Sequence, residues 1–245
     1  VRSRVAFITP VLGLGGTERC IMDLADGLKG RFECLVLHAT GSRWNDARGA
    51  EEMARHAPVA AVPLLDIGRW LEANRVAVAV AWGLLDVEAA LRGWGGPLLF
   101  ACHNSERSFT ARTAKAARHR AFRVVAVSKA ALRTMRRVPE EKRRVIHNGL
   151  DPARVAPARP REAVREELGV RPGVFLWGAC LRMSPEKRPD AMIRAAADLG
   201  PGFRLVLCGD GPRRARYERL NASLGSPAIM LPHSFEVGSL LGALD

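Results

Sequence analysis

Short apolar runs alternate with helix-length segments along the chain, and this alternation constrains the fold more than any other feature of the sequence. In the first part of the chain it predicts strands at Val5–Thr9, Leu35–Ala39, Val76–Ala81, Leu98–Cys102 and Val124–Val127, and a helix at Thr17–Lys29. Strands that alternate with helices in this way form βαβ units and a parallel sheet covered by helices on both faces. We therefore predict a doubly wound α/β fold.

The segment 151–160 interrupts the alternation. It carries Pro152, Pro157 and Pro160 without apolar periodicity, which is typical of a linker. The alternation then restarts, with predicted strands at Val174–Ala179, Arg204–Cys208 and Ala228–Leu231 and predicted helices at Glu186–Leu199, Pro212–Leu224 and Glu236–Leu244. We predict two Rossmann-like domains, residues 1–150 and 161–245, joined by the linker 151–160. The second domain is incomplete, because so few strands leave apolar faces uncovered.

Cysteine usage and hydropathy indicate the compartment. The five cysteines lie scattered in apolar runs without a C-x-x-C pair, so we expect buried thiols rather than disulfides or zinc ligands. This pattern fits a reducing compartment. No apolar stretch approaches the roughly 20 residues that span a bilayer, and residues 1–10 lack the pattern of a signal peptide. We expect a cytoplasmic protein, at most peripheral to the inner face of the cell membrane.

A glycine-rich segment, Gly13–Glu18, follows the first predicted strand and opens the first helix. Glycines let the backbone approach an anion there, and the helix N-terminus offers free N–H groups. The alternative is a tight turn with Thr17 as the helix cap. A dinucleotide site of the G-x-G-x-x-G type is disfavoured, because Glu18 stands at the position of the third glycine and no acid ends the second strand. A P-loop is excluded, because no G-K-[ST] follows.

Four later segments also end predicted strands, at the edge of a parallel sheet where ligands bind. Arg182 and Lys187 lie in a strand–helix loop, and together they could hold one diphosphate; a solvated basic loop is the equal alternative. His103 and Asn104 follow one strand, although a lone histidine is more often structural. His147-Asn148-Gly149 follows another strand and could be a simple turn, and Gly209-Asp210-Gly211 enters a helix.

Taken in order, these segments resemble a known family. The series G-G-T-E-R, H-N, A-V-S-K, V-I-H-N-G-L-D, L-R-M-S-P-E-K-R-P-D and L-C-G-D-G-P is similar to that of the family 4 retaining glycosyltransferases of the GT-B fold, from Val5 to Asp245. The resemblance implies transfer of a sugar from a nucleotide-diphosphate sugar to a hydroxyl acceptor. That acceptor is a polysaccharide, a lipid-linked sugar or a small-molecule glycoside. UDP-linked donors are commonest in the family, and GDP-linked donors also occur.

The resemblance also assigns roles. Arg182 and Lys187 match the basic pair that stabilises the leaving diphosphate in place of a divalent metal, so no metal or other cofactor is expected. His103 matches a histidine beside the transferred sugar and completes the implied catalytic set. The donor-binding residues implied are Gly15, Gly16, Gly209, Asp210, Leu231, Pro232 and His233, and the acceptor-side residues are Thr17, Glu18, Asn104 and Asn148.

Two departures from the family pattern qualify these expectations. Leu181 stands where a glycine commonly precedes the arginine of the basic pair, and the E-x7-E segment that holds the donor sugar is not found up to Asp245. We therefore expect a fragment or truncated product, with weak or no transferase activity in residues 1–245 alone.

Charge raises other hypotheses. The net charge is +13, and the segment from Arg112 to Arg144 carries twelve basic residues against two acidic ones. Contact with an anionic membrane surface is one interpretation, and a solvated arginine-rich face is the other. A basic protein that binds nucleic acid is a rival function, but Tyr217 is the only tyrosine and no stacking platform is apparent, so no nucleic-acid partner is expected. An epimerase of nucleotide sugars with the same architecture is a second rival.

Overall fold

The structure is a computed structural model. It describes residues 2–13, 15–42, 45–83, 86–103, 123–234 and 237–245, apart from the side chain of Arg154. The chain divides into two compact units, Val1–Gly149 and Leu150–Asp245. The segment 151–160, predicted as a linker, falls in the second unit and contains the short helix Pro152–Val155.

The first unit is built on a seven-stranded sheet in the order β3-β2-β1-β4-β5-β6-β7. The strands are β1 Arg4–Thr9, β2 Glu33–Ala39, β3 Val59–Val62, β4 Val76–Trp82, β5 Leu98–Cys102, β6 Arg123–Ala126 and β7 Arg143–Val145. All of their pairings are parallel. The strand order reverses between β1 and β4, which is the arrangement of a doubly wound sheet.

Helices cover both faces of this sheet. They are α1 Gly16–Leu28, α2 Ala47–Ala54, α3 Ile67–Ala73, α4 Val87–Ala90 and α5 Lys129–Thr134. Successive side chains of β1 enter two separate apolar clusters: Ala6 and Ile8 enter one, and Val5 and Phe7 enter the other. Because strand side chains alternate between faces, a strand that is buried on both sides must be apolar throughout.

The second unit has a three-stranded sheet in the order β10-β9-β8. The strands are β8 Phe175–Cys180, β9 Phe203–Cys208 and β10 Ala228–Leu231, and the helices are α6 Pro152–Val155, α7 Arg161–Glu167, α8 Pro189–Leu199, α9 Arg214–Ser223 and α10 Gly238–Ala243. Both pairings are parallel, and two apolar clusters flank the sheet. The predicted α/β class with two parallel sheets is therefore confirmed.

One predicted helix is interrupted. Residues Glu186–Leu199 were expected to form a single helix, but a 3₁₀ turn at Pro185–Lys187 and helix α8 are separated by Arg188, whose φ is 53° and ψ 46°. A left-handed residue cannot continue a right-handed helix. Within the described ranges, no helix is both long and apolar enough to cross a membrane.

Candidate functional site

The three parallel strands of the second unit end at a common edge, where residues Leu181–Lys187, Gly209–Pro212 and Pro232–His233 follow β8, β9 and β10. All of the residues predicted to bind the donor in this unit lie in or next to these segments. Parallel strands bring their carboxyl ends to one side of a sheet, so residues far apart in sequence meet there.

Arg182 and Lys187 lie on either side of Glu186 in the segment that follows β8. The buried Ser184 donates a hydrogen bond of 2.5 Å from Oγ to Oε1 of Glu186. This bond lowers the pKa of Glu186, and the charges of Arg182 and Lys187 lower it further. The positive charges of both side chains therefore act on the same carboxylate. Both side chains are also exposed, so they are accessible to an anion.

Backbone hydrogen bonds tie these segments together. They run from Leu181 N–H to Cys208 O at 2.9 Å, from Met183 N–H to Asp210 O at 2.8 Å and from Gly209 N–H to Leu231 O at 3.2 Å. The loop carrying the basic pair is therefore fixed to the loop after β9. A preorganised loop binds an anion without first paying the entropy of ordering itself.

Gly209 is required by this close approach. Its φ is 146°, and a Cβ atom at this position would lie 1.9 Å from the carbonyl oxygen of Leu181. A side chain there would push the two loops apart. The neighbouring Asp210 is exposed, and its Oδ1 accepts a hydrogen bond of 2.7 Å from Gly211 N–H.

Arg214 is a residue of this edge that the sequence analysis did not single out. Its guanidinium donates to the carbonyl oxygens of Gly209 at 2.5 Å and Leu231 at 2.8 Å, and it pairs with Glu218 at 2.7 Å. It thus fixes the ends of β9 and β10 from the first turn of helix α9. Its position directly after the segment G-D-G-P-R could have indicated this role, but the sequence contains many other arginines and nothing local distinguishes this one.

In the first unit, the glycine-rich segment connects β1 to helix α1. The helix is capped at Gly15 without a side-chain hydrogen bond, so Thr17 is not the cap. Oε1 of Glu18 reaches back and accepts a hydrogen bond of 3.3 Å from Gly13 N–H. One loop amide is therefore occupied by the protein itself, while Gly15 and Gly16 are exposed.

A second segment, residues 45–49, supports this loop and was also missed. Asn45 Oδ1 accepts a hydrogen bond of 2.9 Å from Leu12 N–H, and the backbone N–H of Asp46 donates to Leu12 O at 2.9 Å. Gly49 packs so closely that a Cβ atom there would lie 2.3 Å from Gly13 O. Nothing in the apolar periodicity marks such a contact, because it depends on backbone atoms.

His103 follows β5 and lies against Trp82, which ends the neighbouring strand β4. The ring centroids are 4.5 Å apart with an interplanar angle of 46°. Burial lowers the pKa of His103, so the ring is neutral at pH 7 and can exchange hydrogen bonds as a neutral imidazole. The indole Nε1 of Trp82 is buried and has no hydrogen-bond partner among the residues that the structure describes.

Asn148 lies beside helix α1, whereas Asn104 falls outside the described residues. The Oδ1 atom of Asn148 accepts a hydrogen bond of 3.5 Å from the thiol of Cys20, and the ring of His147 contacts Val127 O at 3.0 Å. The structure thus brings Asn148 close to the helix that carries Thr17 and Glu18. His103 stands apart from them along the sheet, since β4 lies between β1 and β5.

Comparisons with known proteins identify both sequence family and fold. The sequence profile of Glycosyltransferase Family 4 matches residues 14–154. HepE of Anabaena, in a crystal structure with UDP and glucose, superposes on this chain with a TM-score of 0.82 at 20% sequence identity. The match covers 100% of this chain and 73% of HepE. A glycosyltransferase of Rickettsia africae gives a TM-score of 0.72 at 19% identity, covering 100% and 72%.

A third solved structure has a different assignment. It is a protein of Listeria monocytogenes assigned as a UDP-N-acetylglucosamine 2-epimerase, with a TM-score of 0.62 at 12% identity, covering 99% of this chain and 72% of that one. At these identities the likeness establishes the GT-B fold. A search of curated protein sequences gives no significant match.

Proposed function

The chain belongs to glycosyltransferase family 4, and from this premise we propose that it transfers a glycosyl group from a UDP-linked sugar to a hydroxyl acceptor with retention of anomeric configuration. The observation that carries the proposal is the placement of the exposed Arg182 and Lys187 on one loop at the edge of the second sheet, which backbone hydrogen bonds fix to the loop after β9. Two exposed cations on one preorganised loop suit a phosphate group of the donor.

The chemistry follows from where charge develops. When the bond between sugar and phosphate breaks, negative charge grows on the leaving diphosphate. Fixed cations stabilise that state more than the ground state, and this difference accelerates the reaction. Arg182 supplies a planar fork of donors and Lys187 a compact charge, so together they take the part that a divalent metal has in other transferases. A chelating buffer is therefore expected to leave unchanged whatever transfer the chain catalyses.

The identity of the donor nucleotide is supported by structural neighbours. HepE of Anabaena has been crystallised with UDP-glucose, and in that complex it superposes on this chain with a TM-score of 0.80. We infer a UDP-sugar as donor and treat GDP-sugars as the alternative. Gly209 and Asp210, with Leu231, Pro232 and His233, would contact the nucleoside side of the donor.

We assign the acceptor to the first unit. The exposed amides of Gly15 and Gly16 and the side chains of Thr17, Glu18 and Asn148 offer hydrogen bonds to a hydroxyl compound. His103, held neutral by burial, would contact the transferred sugar. In a retaining reaction of this kind, the leaving phosphate accepts the proton of the acceptor hydroxyl on the same face as the attack.

The test begins with donor binding. Isothermal titration of the 245-residue protein with UDP and GDP should show binding of UDP. Arg182→Ala and Lys187→Ala should each weaken UDP binding by about tenfold to a hundredfold, because each loses a charge-assisted contact. Arg194→Ala is the matched control, because this exposed arginine of helix α8 lies away from the strand ends. Equal UDP affinity in all four proteins would refute the proposed site.

The second step identifies the reaction. Incubation with a UDP-sugar and a panel of glycoside and lipid-linked acceptors, followed by proton NMR of the product, reports both transfer and anomeric configuration. The likeness to the Listeria protein favours epimerisation as the second candidate function. Conversion of the UDP-sugar to its epimer without any acceptor would establish that alternative instead.

We also propose that an exposed basic surface contacts anionic membrane lipids. We name it the basic surface and define it by the described residues Lys129, Arg133, Arg136, Arg137 and Arg144, which are all exposed. It lies on helix α5, the residues that follow this helix and the edge strand β7, whereas residues 112–122 of the predicted basic segment fall outside the described residues. Such a contact would keep the enzyme near a lipid-linked acceptor.

A further inference from the structure

Two cysteines face each other at the donor edge of the second sheet. Cys180 is the last residue of β8 and Cys208 the last residue of β9, and they are direct register partners in the parallel pairing. Neighbouring strands lie about 4.8 Å apart, which is within the Cα separation of roughly 4.4–6.8 Å that a disulfide spans. The two side chains therefore leave the sheet on the same face, with a backbone spacing that a disulfide can bridge.

The two thiols lie in different surroundings. Cys180 is exposed, whereas Cys208 is 4% exposed. Interaction with the neighbouring Cys208 raises the pKa of Cys180, and burial raises it further. The pKa of Cys208 is lowered to about 7, first by the same interaction, against the effect of burial, and then by the backbone of Ser234 and the charge of Arg214. The deprotonated form of Cys208 is therefore accessible near neutral pH.

We propose that Cys180 and Cys208 form a dithiol modification site that reacts with low-molecular-weight disulfides and closes into an intramolecular disulfide bond. The exposed Cys180 thiol releases its proton to solvent, and the resulting thiolate attacks one sulfur of the reagent R–S–S–R, which expels RS⁻. Cys208 then gives its proton to that RS⁻, attacks the Cys180 sulfur and expels a second RS⁻. Two electrons pass from the protein to the reagent, which becomes one RSH and one RS⁻.

The location of the pair gives the modification a consequence, and this part depends on the proposed function. Cys208 Sγ now contacts Pro232 O at 3.1 Å, and Gly209 directly follows Cys208. A bond to Cys180 removes the thiol hydrogen that Pro232 O accepts and shifts the segment carrying Pro232 and His233. Oxidation should therefore weaken UDP binding by about tenfold, the effect of roughly one lost hydrogen bond.

The experiment equilibrates the full 245-residue protein in buffers with graded ratios of glutathione to glutathione disulfide, alkylates the remaining thiols and maps the peptides by mass spectrometry. We expect a peptide pair joined through Cys180 and Cys208, and its loss in both Cys180→Ser and Cys208→Ser. Cys20→Ser is the control, because this partly buried thiol lies on helix α1 of the first unit and its removal should leave the cross-link unchanged.

The outcomes separate the two proposals. Glutathione adducts on Cys180 without the cross-link, or alkylation of both thiols at every ratio, would overturn the dithiol site even if the reduced protein binds UDP. A cross-link in a protein that does not bind UDP in its reduced form would uphold the dithiol and refute the donor site. A cross-link that leaves UDP affinity unchanged would overturn the coupling between them.

Discussion

Arg182 and Lys187 carry the same charge but offer different geometry. The guanidinium of Arg182 presents a planar fork that matches two phosphate oxygens, whereas an ammonium group acts as a point charge. We therefore expect Arg182→Lys to keep part of the UDP affinity that Arg182→Ala loses. Lys187→Arg should keep most of the UDP affinity, because the exposed Lys187 acts through its charge. Calorimetric titration with UDP measures all three, and equal losses in Arg182→Lys and Arg182→Ala would contradict the bidentate role.

Arg188 is a non-glycine residue in the left-handed conformation, with φ at 53°. This conformation costs an L-residue about 1–2 kcal/mol. Arg188→Gly removes that cost and adds some unfolded-state entropy, so we expect a net gain of about 0.5–1 kcal/mol in the free energy of unfolding. The exposed ion pair with Asp190 contributes little.

Arg194→Gly serves as the comparison, because we expect it to lower the free energy of unfolding. This residue is exposed within helix α8, where glycine costs about 1 kcal/mol. Urea denaturation of the two variants and the wild type measures both effects. If Arg188→Gly is destabilised as much as Arg194→Gly, the backbone at position 188 is not strained.

His103 gives a pH dependence whose sign can be worked out. Burial lowers the pKa of the His103 ring in the folded protein below the value of about 6.5 in the unfolded chain. At a pH near or below 6.5, the unfolded chain therefore binds more protons at this residue than the folded protein does. The contribution of His103 to the free energy of unfolding therefore falls as the pH drops through about 6.5 towards the pKa of the folded protein. NMR titration of the ring, assigned by its absence in His103→Gln, should show a midpoint below that of the urea-unfolded protein; a higher midpoint would contradict the effect of burial.

At the scale of elements, two helical glycines have opposite roles. A Cβ atom added at Gly49 of α2 would lie 2.3 Å from Gly13 O. A Cβ atom added at Gly27 of α1 would meet nothing within 4 Å. Gly27→Ala should raise the free energy of unfolding by about 1 kcal/mol through helix propensity. Gly49→Ala should lower it by about 1–3 kcal/mol, because α2 must move away from the glycine-rich loop.

Urea denaturation of the two alanine variants is the measurement, and amide hydrogen exchange of residues 12–16 is the second readout. Exchange should accelerate in Gly49→Ala and stay unchanged in Gly27→Ala. A stabilised Gly49→Ala protein would show that the contact between α2 and the loop is not tight.

The elements that the sequence predicted are those with strong apolar periodicity. The strands Leu98–Cys102 and Ala228–Leu231 were predicted to the residue, and helix α1 within one residue at each end. The edge strand β7, Arg143–Val145, was missed because it is short and mostly charged, and its pairing with β6 comes from the tertiary structure. The short edge strand β3 was also missed, and its register comes from its pairing with β2.

The candidate site was predictable where motifs carry it and not where backbone contacts carry it. The loops with Arg182, Lys187 and Gly209 were found because they end predicted strands. Arg214 was missed because its partners are carbonyl oxygens of two other strand ends, which no local pattern reveals. The roles of the predicted site residues remain predictions until a donor and an acceptor are bound.

At the scale of the whole molecule, each unit has a sheet covered on both faces by its own apolar clusters. The chemistry assigned to each therefore rests on a separate core. A substitution that weakens one core should leave the sheet of the other intact. Charge is different, because the field of a chain with net charge +13 acts on any anionic partner from every part of the surface.

This long-range field complicates the proposed membrane contact, and a pair of charge-matched variants separates the two effects. The first variant changes Arg133, Arg136 and Arg137 of the basic surface to glutamate, and the second makes the same change at the exposed Arg194, Arg216 and Arg219 of the second unit. Both lower the net charge equally. If the basic surface docks on lipid, only the first variant should lose flotation with anionic vesicles, since the attraction of each residue falls off within about a Debye length of the membrane. Equal losses in both would mean that net charge alone attracts the protein, and no flotation of the wild type at physiological salt would remove the membrane proposal.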